Sequence, residues 1–76
     1  MASFGPKDNL ALGRAMREVR EQSGTSQETI ALKADLHRNY YSDVERGNRN
    51  ITHITLLKIA KALNVKASEL LAQAGQ

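Results

Sequence analysis

The chain has 76 residues and no Cys, and its 11 Lys and Arg outnumber its 8 Asp and Glu, for a formal net charge of +3. This length predicts one small domain, and the lack of Cys excludes disulfides, zinc–thiolate sites and thiol nucleophiles. No apolar run exceeds three residues, and the start lacks a basic segment followed by an apolar stretch. We therefore expect no membrane span, no signal peptide and a soluble protein of the cytoplasm.

The first two helices are indicated by apolar residues that recur at helical spacing. Residues 1–7 are predicted to be a flexible tail, and Asp8 is a candidate N-cap for a helix that ends near Gly24. Ser26 can cap a short second helix. Their predicted inward residues are Leu12, Ala15, Met16 and Val19 in the first helix, and Ile30, Ala31 and Ala34 in the second.

A third helix is predicted from about His37 or Arg38 to Arg46, and Gly47 can end it in a left-handed conformation. It has few apolar residues, with Tyr41 and Val44 as inward positions. Its outward face is polar, which raises the question of what this face contacts.

The fourth helix is predicted to follow a Thr52 cap, and a short fifth helix, Ser68–Gln73, can cover the core. Residues 74–76 form a C-terminal tail. The sequence thus predicts an all-α, five-helix domain over residues 8–73. The inward residues of the fourth helix are Leu56, Ile59, Ala60 and Leu63.

Residues 26–50, SQETIALKADLHRNYYSDVERGNRN, followed by ITHITLLKIAKALNV, closely resemble the helix-turn-helix domain of the Cro and phage-repressor type, the XRE family. Within that family, the Arg-x-Tyr, Glu-Arg-Gly and Arg-Asn pattern is similar to short controller proteins of restriction-modification systems. The resemblance covers about residues 10–71. It implies a compact lambda-repressor-like fold, a helix-turn-helix at about residues 26–46 and binding of double-stranded DNA.

Three positions depart from the family pattern. Asp35 stands in the tight turn where Gly is usual, and Asp tolerates a positive φ less comfortably than Gly. Thr25 replaces an apolar residue, and His53 replaces an aliphatic residue at the start of the fourth helix.

The resemblance implies that the third helix enters the DNA major groove, where its first turn reaches deepest. Arg38 and Asn39 are then the leading base readers, since Arg can pair with guanine and Asn with adenine. Ser42 and Asp43 can reach further along the groove, although Asp43 could instead hold a neighbouring arginine or repel phosphates. The alternative for all four is a solvated polar face.

DNA-backbone contacts are expected from the rim of the third helix. Gln27 resembles the family glutamine that touches the backbone, and its alternative is simple helix-start preference. Tyr40 could equally be a surface tyrosine, and Arg46 and His37 could be solvated groups. The full expected set is Gln27, His37, Tyr40, Arg46, Arg49 and Asn50.

Two further features are structural expectations. Arg20 and Glu45 match a family ion pair that joins the first and third helices. Ile54 and Leu57 lie off the core stripe of the fourth helix and are candidates for a dimer interface, with edge-of-core packing as the alternative. Other residues that could join this interface are Ile51, Val65 and Leu71.

The function implied by the resemblance is a homodimeric, nucleoid-associated transcriptional regulator that binds a palindromic operator. We expect no enzyme activity, cofactor or small-molecule ligand, and no metal site, because His37 and His53 lie on different predicted helices. An antitoxin-like or adaptor protein that mainly binds another protein is the alternative. An RNA-binding helix-turn-helix is a third hypothesis, disfavoured because Tyr40 is the only candidate aromatic platform.

Overall fold

Five α-helices make up the computed structural model, which describes residues 5–76. No strand occurs within this range, and no helix in it combines the length and apolar character needed to cross a membrane. The helices are α1 (Pro6–Gln22), α2 (Gln27–Lys33), α3 (Arg38–Glu45), α4 (His53–Ala62) and α5 (Ala67–Gln73).

Side-chain caps begin α2 and α4 as predicted. The hydroxyls of Ser26 and Thr52 each accept a hydrogen bond of 3.1 Å from the backbone N–H three residues further on. These bonds satisfy amide groups that have no partner inside the helix.

The prediction that Asp8 is the N-cap of α1 is wrong, because α1 already begins at Pro6. Asp8 lies in the first turn, and its carboxylate accepts a hydrogen bond of 2.9 Å from the backbone N–H of Gly5. Proline suits the first helical position, where its fixed φ fits and its missing N–H is not needed. Of the predicted tail, residues 1–4 lie outside the described residues, whereas Pro6 and Lys7 are helical.

The core is formed by the apolar stripes that the helical spacing predicted. Tyr41, Met16 and Ile59 are fully buried at its centre, and Leu12 and Val19 pack against it while partly exposed. Because Tyr41 and Val44 belong to this core, the outward face of α3 is held in a fixed orientation.

The turn between α2 and α3 contains Asp35 at φ +58°, so an aspartate adopts the left-handed conformation that glycine usually supplies. Gly47, at φ +79°, follows α3 as predicted. A second non-glycine residue, Asn64, has φ +61° after α4.

Gly13 allows α1 to approach the C-terminal end of α3 very closely. A Cβ atom at Gly13 would lie 2.4 Å from the carbonyl oxygen of Glu45 and 2.5 Å from that of Val44. Any side chain at this position would therefore push the two helices apart, so Gly13 helps to set the position of α3.

Candidate nucleic-acid interface

The outward face of α3 exposes the side chains that the sequence predicted as base readers. Arg38 and Asn39 are exposed in its first turn, and Ser42 and Asp43 are partly exposed one turn later. Tyr41 and Val44 are buried on the opposite side. The four polar residues therefore lie on one solvent-facing surface of a helix that is anchored from behind.

His37 is the N-cap of α3. Its Nδ1 atom accepts a hydrogen bond of 3.1 Å from the backbone N–H of Asn39, one of the predicted base readers. The imidazole thus fixes the first turn of the helix, and its predicted contact with a DNA phosphate stays a prediction.

Asp43 is held by two arginines. One carboxylate oxygen lies 2.6 Å from Nη2 of Arg46, and the other lies 3.5 Å from Nη2 of Arg49. The hydrogen bond from Arg46 keeps the pKa of Asp43 below its ordinary value, so the carboxylate is ionised at neutral pH. The sequence left open whether Asp43 reads a base or holds an arginine, and in the free protein it holds two.

Arg49 has a second contact on its other side. Its guanidinium carbon lies 5.4 Å from the centre of the Tyr40 ring, within the range of a cation–π interaction. Arg49 therefore contacts both an aromatic ring and a carboxylate. Through these side-chain contacts, the loop after α3 packs against α3.

A buried network joins α1, α2 and α3 behind this surface. Arg20 donates to both carboxylate oxygens of Glu45, at 2.6 and 3.0 Å, and Gln27 donates its side-chain amide to Glu45 at 2.9 Å. The side chain of Glu45 is 2% exposed and that of Arg20 is 12% exposed. The structure thus brings Arg20 and Glu45 together and adds Gln27, which the sequence had suggested only as a backbone contact.

Burial by itself raises the pKa of Glu45, but the neighbouring side chains of Arg20, Tyr41 and Gln27 outweigh this effect, so its pKa lies below the ordinary value. Burial also raises the pKa of Tyr41 far above its ordinary range. The Tyr41 hydroxyl is buried and near enough to Glu45 to influence its pKa, although the two groups make no hydrogen bond of good geometry. The carboxylate of Glu45 is therefore the stable anionic centre of this network.

Asn9 is a residue of this surface that sequence reasoning missed. Its side-chain amide donates to the side-chain oxygen of Asn50, in the loop predicted to contact DNA. The two residues are 41 positions apart, and no local pattern in the sequence relates them. The bond engages the side-chain oxygen of Asn50 and not its amide group.

A second surface, which is apolar, is formed by α4. Ile54 and Leu57 are 60% and 42% exposed on α4, and Leu57 borders a groove between α4 and α5 that also contains Val65. Ile51 and Leu71, the other residues suggested for a dimer interface, are partly buried.

No group of three metal-binding side chains occurs among residues 5–76. The two histidines belong to different elements, His37 as the N-cap of α3 and His53 as the first residue of α4.

The fold and the polar third helix define a helix-turn-helix protein, and comparison with known proteins agrees. The Helix-turn-helix family model matches residues 16–70, more than half of the chain, so the chain belongs to this family.

More particularly, the chain is a controller-type transcriptional regulator. Control protein C.BamHI of Bacillus amyloliquefaciens is 46% identical over 63 residues, which are 82% of this chain and 78% of that protein. The crystal structure of the restriction-modification controller protein C.AhdI from Aeromonas hydrophila superposes with a TM-score of 0.81 and 43% identity, covering 83% of this chain and 96% of that one.

A third similar structure is that of the controller protein C.Esp1396I, a tetramer in complex with its natural 35 base-pair operator. It has a TM-score of 0.79 and 29% identity, and the match covers 99% of this chain and 100% of that one. These findings confirm the resemblance to controller proteins and the prediction of a regulator instead of an enzyme.

Proposed function

We propose that the chain binds a palindromic DNA operator as a homodimer, in the bacterial cytoplasm at the nucleoid, and regulates transcription from it. The observation that carries this proposal is the exposed polar first turn of α3 on a helix whose other face is locked into the core. An α-helix fits the major groove of B-DNA, and its exposed Arg and Asn are the side chains that pair with base edges. The similar controller protein C.Esp1396I forms a complex with its natural 35 base-pair operator, which supports operator binding by this chain.

In this proposal, Arg38 and Asn39 read bases and Ser42 reaches a neighbouring position. His37, whose imidazole caps α3 and fixes its first turn, is proposed to contact a DNA phosphate as well. Asp43, the fourth residue that the sequence suggested as a base reader, has both carboxylate oxygens engaged by arginines.

The backbone contacts come from the rim of α3. Gln27, at the N-terminus of α2, can approach a phosphate with the second hydrogen of the amide that it donates to Glu45. The other rim residues in this role are Tyr40, Arg46, Arg49 and Asn50.

The dimer is proposed to form through the exposed apolar residues of α4. A single domain of this size contacts few base pairs, and two linked copies increase both affinity and specificity. Ile54 and Leu57 are two large apolar residues exposed on the same helix, and Ile51, Val65 and Leu71 are proposed to lie at the edge of the interface.

A selection experiment tests the proposal. The purified protein would be mixed with a randomised pool of DNA duplexes, and the bound molecules would be sequenced at two salt concentrations. We expect a palindromic motif with half-sites about 10 base pairs apart and an affinity that falls steeply with salt. Salt-sensitive binding without a motif would contradict the proposal and favour a protein partner for the α4 surface.

A further inference from the structure

We propose that Asp43 is a specificity-determining residue that acts as an internal counter-ion, restraining Arg46 and Arg49 and limiting their attraction to non-operator DNA. This inference rests on the proposed function and deepens it, because it assigns a role to the one acidic residue on the outward face of α3.

The first step of the argument is geometric. Both oxygens of the Asp43 carboxylate are directed at guanidinium groups, one to Arg46 at 2.6 Å and the other to Arg49 at 3.5 Å. Each oxygen keeps a second lone pair, but a cytosine amino group would have to share it with a guanidinium group that is already in place. The contacts of the free protein thus favour the arginines over a base as the partners of Asp43.

The second step concerns exposure. The side chains of Arg46 and Arg49 are 63% and 52% exposed, whereas that of Asp43 is 27% exposed. The two arginines are therefore more accessible to a DNA phosphate than the carboxylate is. An operator whose phosphates meet both arginines in these positions leaves their ion pairs with Asp43 intact.

The third step is electrostatic. Non-specific DNA binding depends almost entirely on positive charge near the phosphates. The Asp43 carboxylate cancels part of the charge of two arginines and also repels phosphates that approach in a wrong register. The stacking of Arg49 on Tyr40 adds a second restraint on the same guanidinium. Asp43 thus weakens loose binding more than it weakens correctly positioned binding.

Asp43→Asn tests this role, with affinity measured for the selected operator and for a scrambled duplex of equal length over a series of salt concentrations. We expect affinity for the scrambled duplex to rise about two- to fivefold. The slope of log affinity against log salt concentration should become steeper by up to about one unit, which corresponds to one additional phosphate contact. Operator affinity should change less, so that the ratio between the two duplexes falls. Asp43→Glu, which keeps the charge, should restore the parent ratio.

Glu21→Gln is the matched control, because it also removes one negative charge and releases an arginine. Glu21 pairs with Arg17 at 3.4 Å on α1, and both side chains are more than half exposed. An equal rise in affinity for the control would reduce the effect to net charge and overturn the proposal.

A base-reading role for Asp43 gives the opposite result. Asp43→Asn would then lower operator affinity and alter the selected base at one position, without any gain for the scrambled duplex. If the parent protein selects no operator at all, the proposed function fails. A steeper salt dependence of Asp43→Asn on the scrambled duplex would in that case still identify the counter-ion.

Discussion

At the scale of single residues, Glu45 connects three helices through its side chain. Its carboxylate is almost fully buried and accepts hydrogen bonds from Arg20 on α1 and Gln27 on α2. Such a residue stabilises the fold only while all its partners are present, since a buried charge without a partner is strongly unfavourable.

We expect Glu45→Ala to lower the free energy of unfolding by about 3 to 5 kcal/mol, because it leaves the Arg20 guanidinium without its carboxylate. This is a large share of the 5–15 kcal/mol, very roughly, that holds a small domain together. Thermal denaturation followed by circular dichroism measures the loss. Melting of the variant at the parent temperature would show that the pair is not structural.

The pH dependence of stability follows from the same residue. The pKa of Glu45 is lowered in the folded protein, so its stabilising effect is complete above the unfolded-state pKa of about 4.3 and is lost as pH falls through the lower folded-state pKa. The difference in melting temperature between the parent and Glu45→Gln should therefore be constant from about pH 7 to about pH 5 and shrink below about pH 4. A difference that stays constant to the lowest pH would argue against an ionised Glu45.

Arg38 provides a residue-scale test of base reading. Because Arg38 is exposed in the first turn of α3 and has no ion-pair partner among the described residues, Arg38→Ala should leave stability unchanged. It should cost about 1 to 3 kcal/mol of operator affinity and relax the preference at one base pair. Repeating the selection with the variant measures this change. Lys7→Ala at the exposed start of α1, which removes the same charge, should reduce affinity less and preserve the motif.

At the scale of helices, Gly13 determines how closely α3 packs against α1. Gly→Ala inside a helix ordinarily stabilises it by about 1 kcal/mol, but here the new methyl group would meet two backbone oxygens of α3. We therefore expect Gly13→Ala to lower the melting temperature, at a cost of about 1 to 3 kcal/mol. Gly5→Ala, where no atom lies within 4 Å of the new Cβ, is the control. A higher melting temperature for Gly13→Ala would mean that α1 and α3 separate easily.

The helices themselves were largely predictable because their signals are local. Apolar spacing located the inward residues of α1 to α4, and hydroxyl caps located the starts of α2 and α4. The start of α1 was missed because aspartate is favourable both as an N-cap and in the first turn, and sequence alone does not distinguish these positions. Pro6 was the available signal, since proline is common at the first helical position.

The contacts between helices could not be predicted in the same way. The bond between Asn9 and Asn50 and that between Gln27 and Glu45 depend on how distant segments meet in space. For Asp43, the sequence allowed three roles, which were reading a base, holding an arginine and repelling phosphates. The choice among them depends on the side-chain positions of Arg46 and Arg49. The Arg20–Glu45 pair was anticipated only because the family resemblance supplied it.

At the scale of the whole molecule, two different surfaces have two different proposed roles. The polar surface of α3 is proposed to bind DNA, and the apolar surface of α4 is proposed to form the dimer. The net charge of +3 is too small to hold a single domain on DNA by attraction alone. Operator binding should therefore depend on dimerisation, and weakening the dimer should weaken DNA binding even though α3 is untouched.

The double variant Ile54→Glu and Leu57→Glu tests this dependence. Four like charges would face each other across a symmetric interface, so we expect sedimentation to give the mass of one 8.4 kDa chain. Folding should survive because both residues are exposed, and operator affinity should fall to the level of a single half-site. Leu32→Glu on α2, where the leucine is 80% exposed, is the control and should remain dimeric. A double variant that keeps the dimer mass would place the interface elsewhere, whereas a monomer with full operator affinity would separate DNA binding from dimerisation.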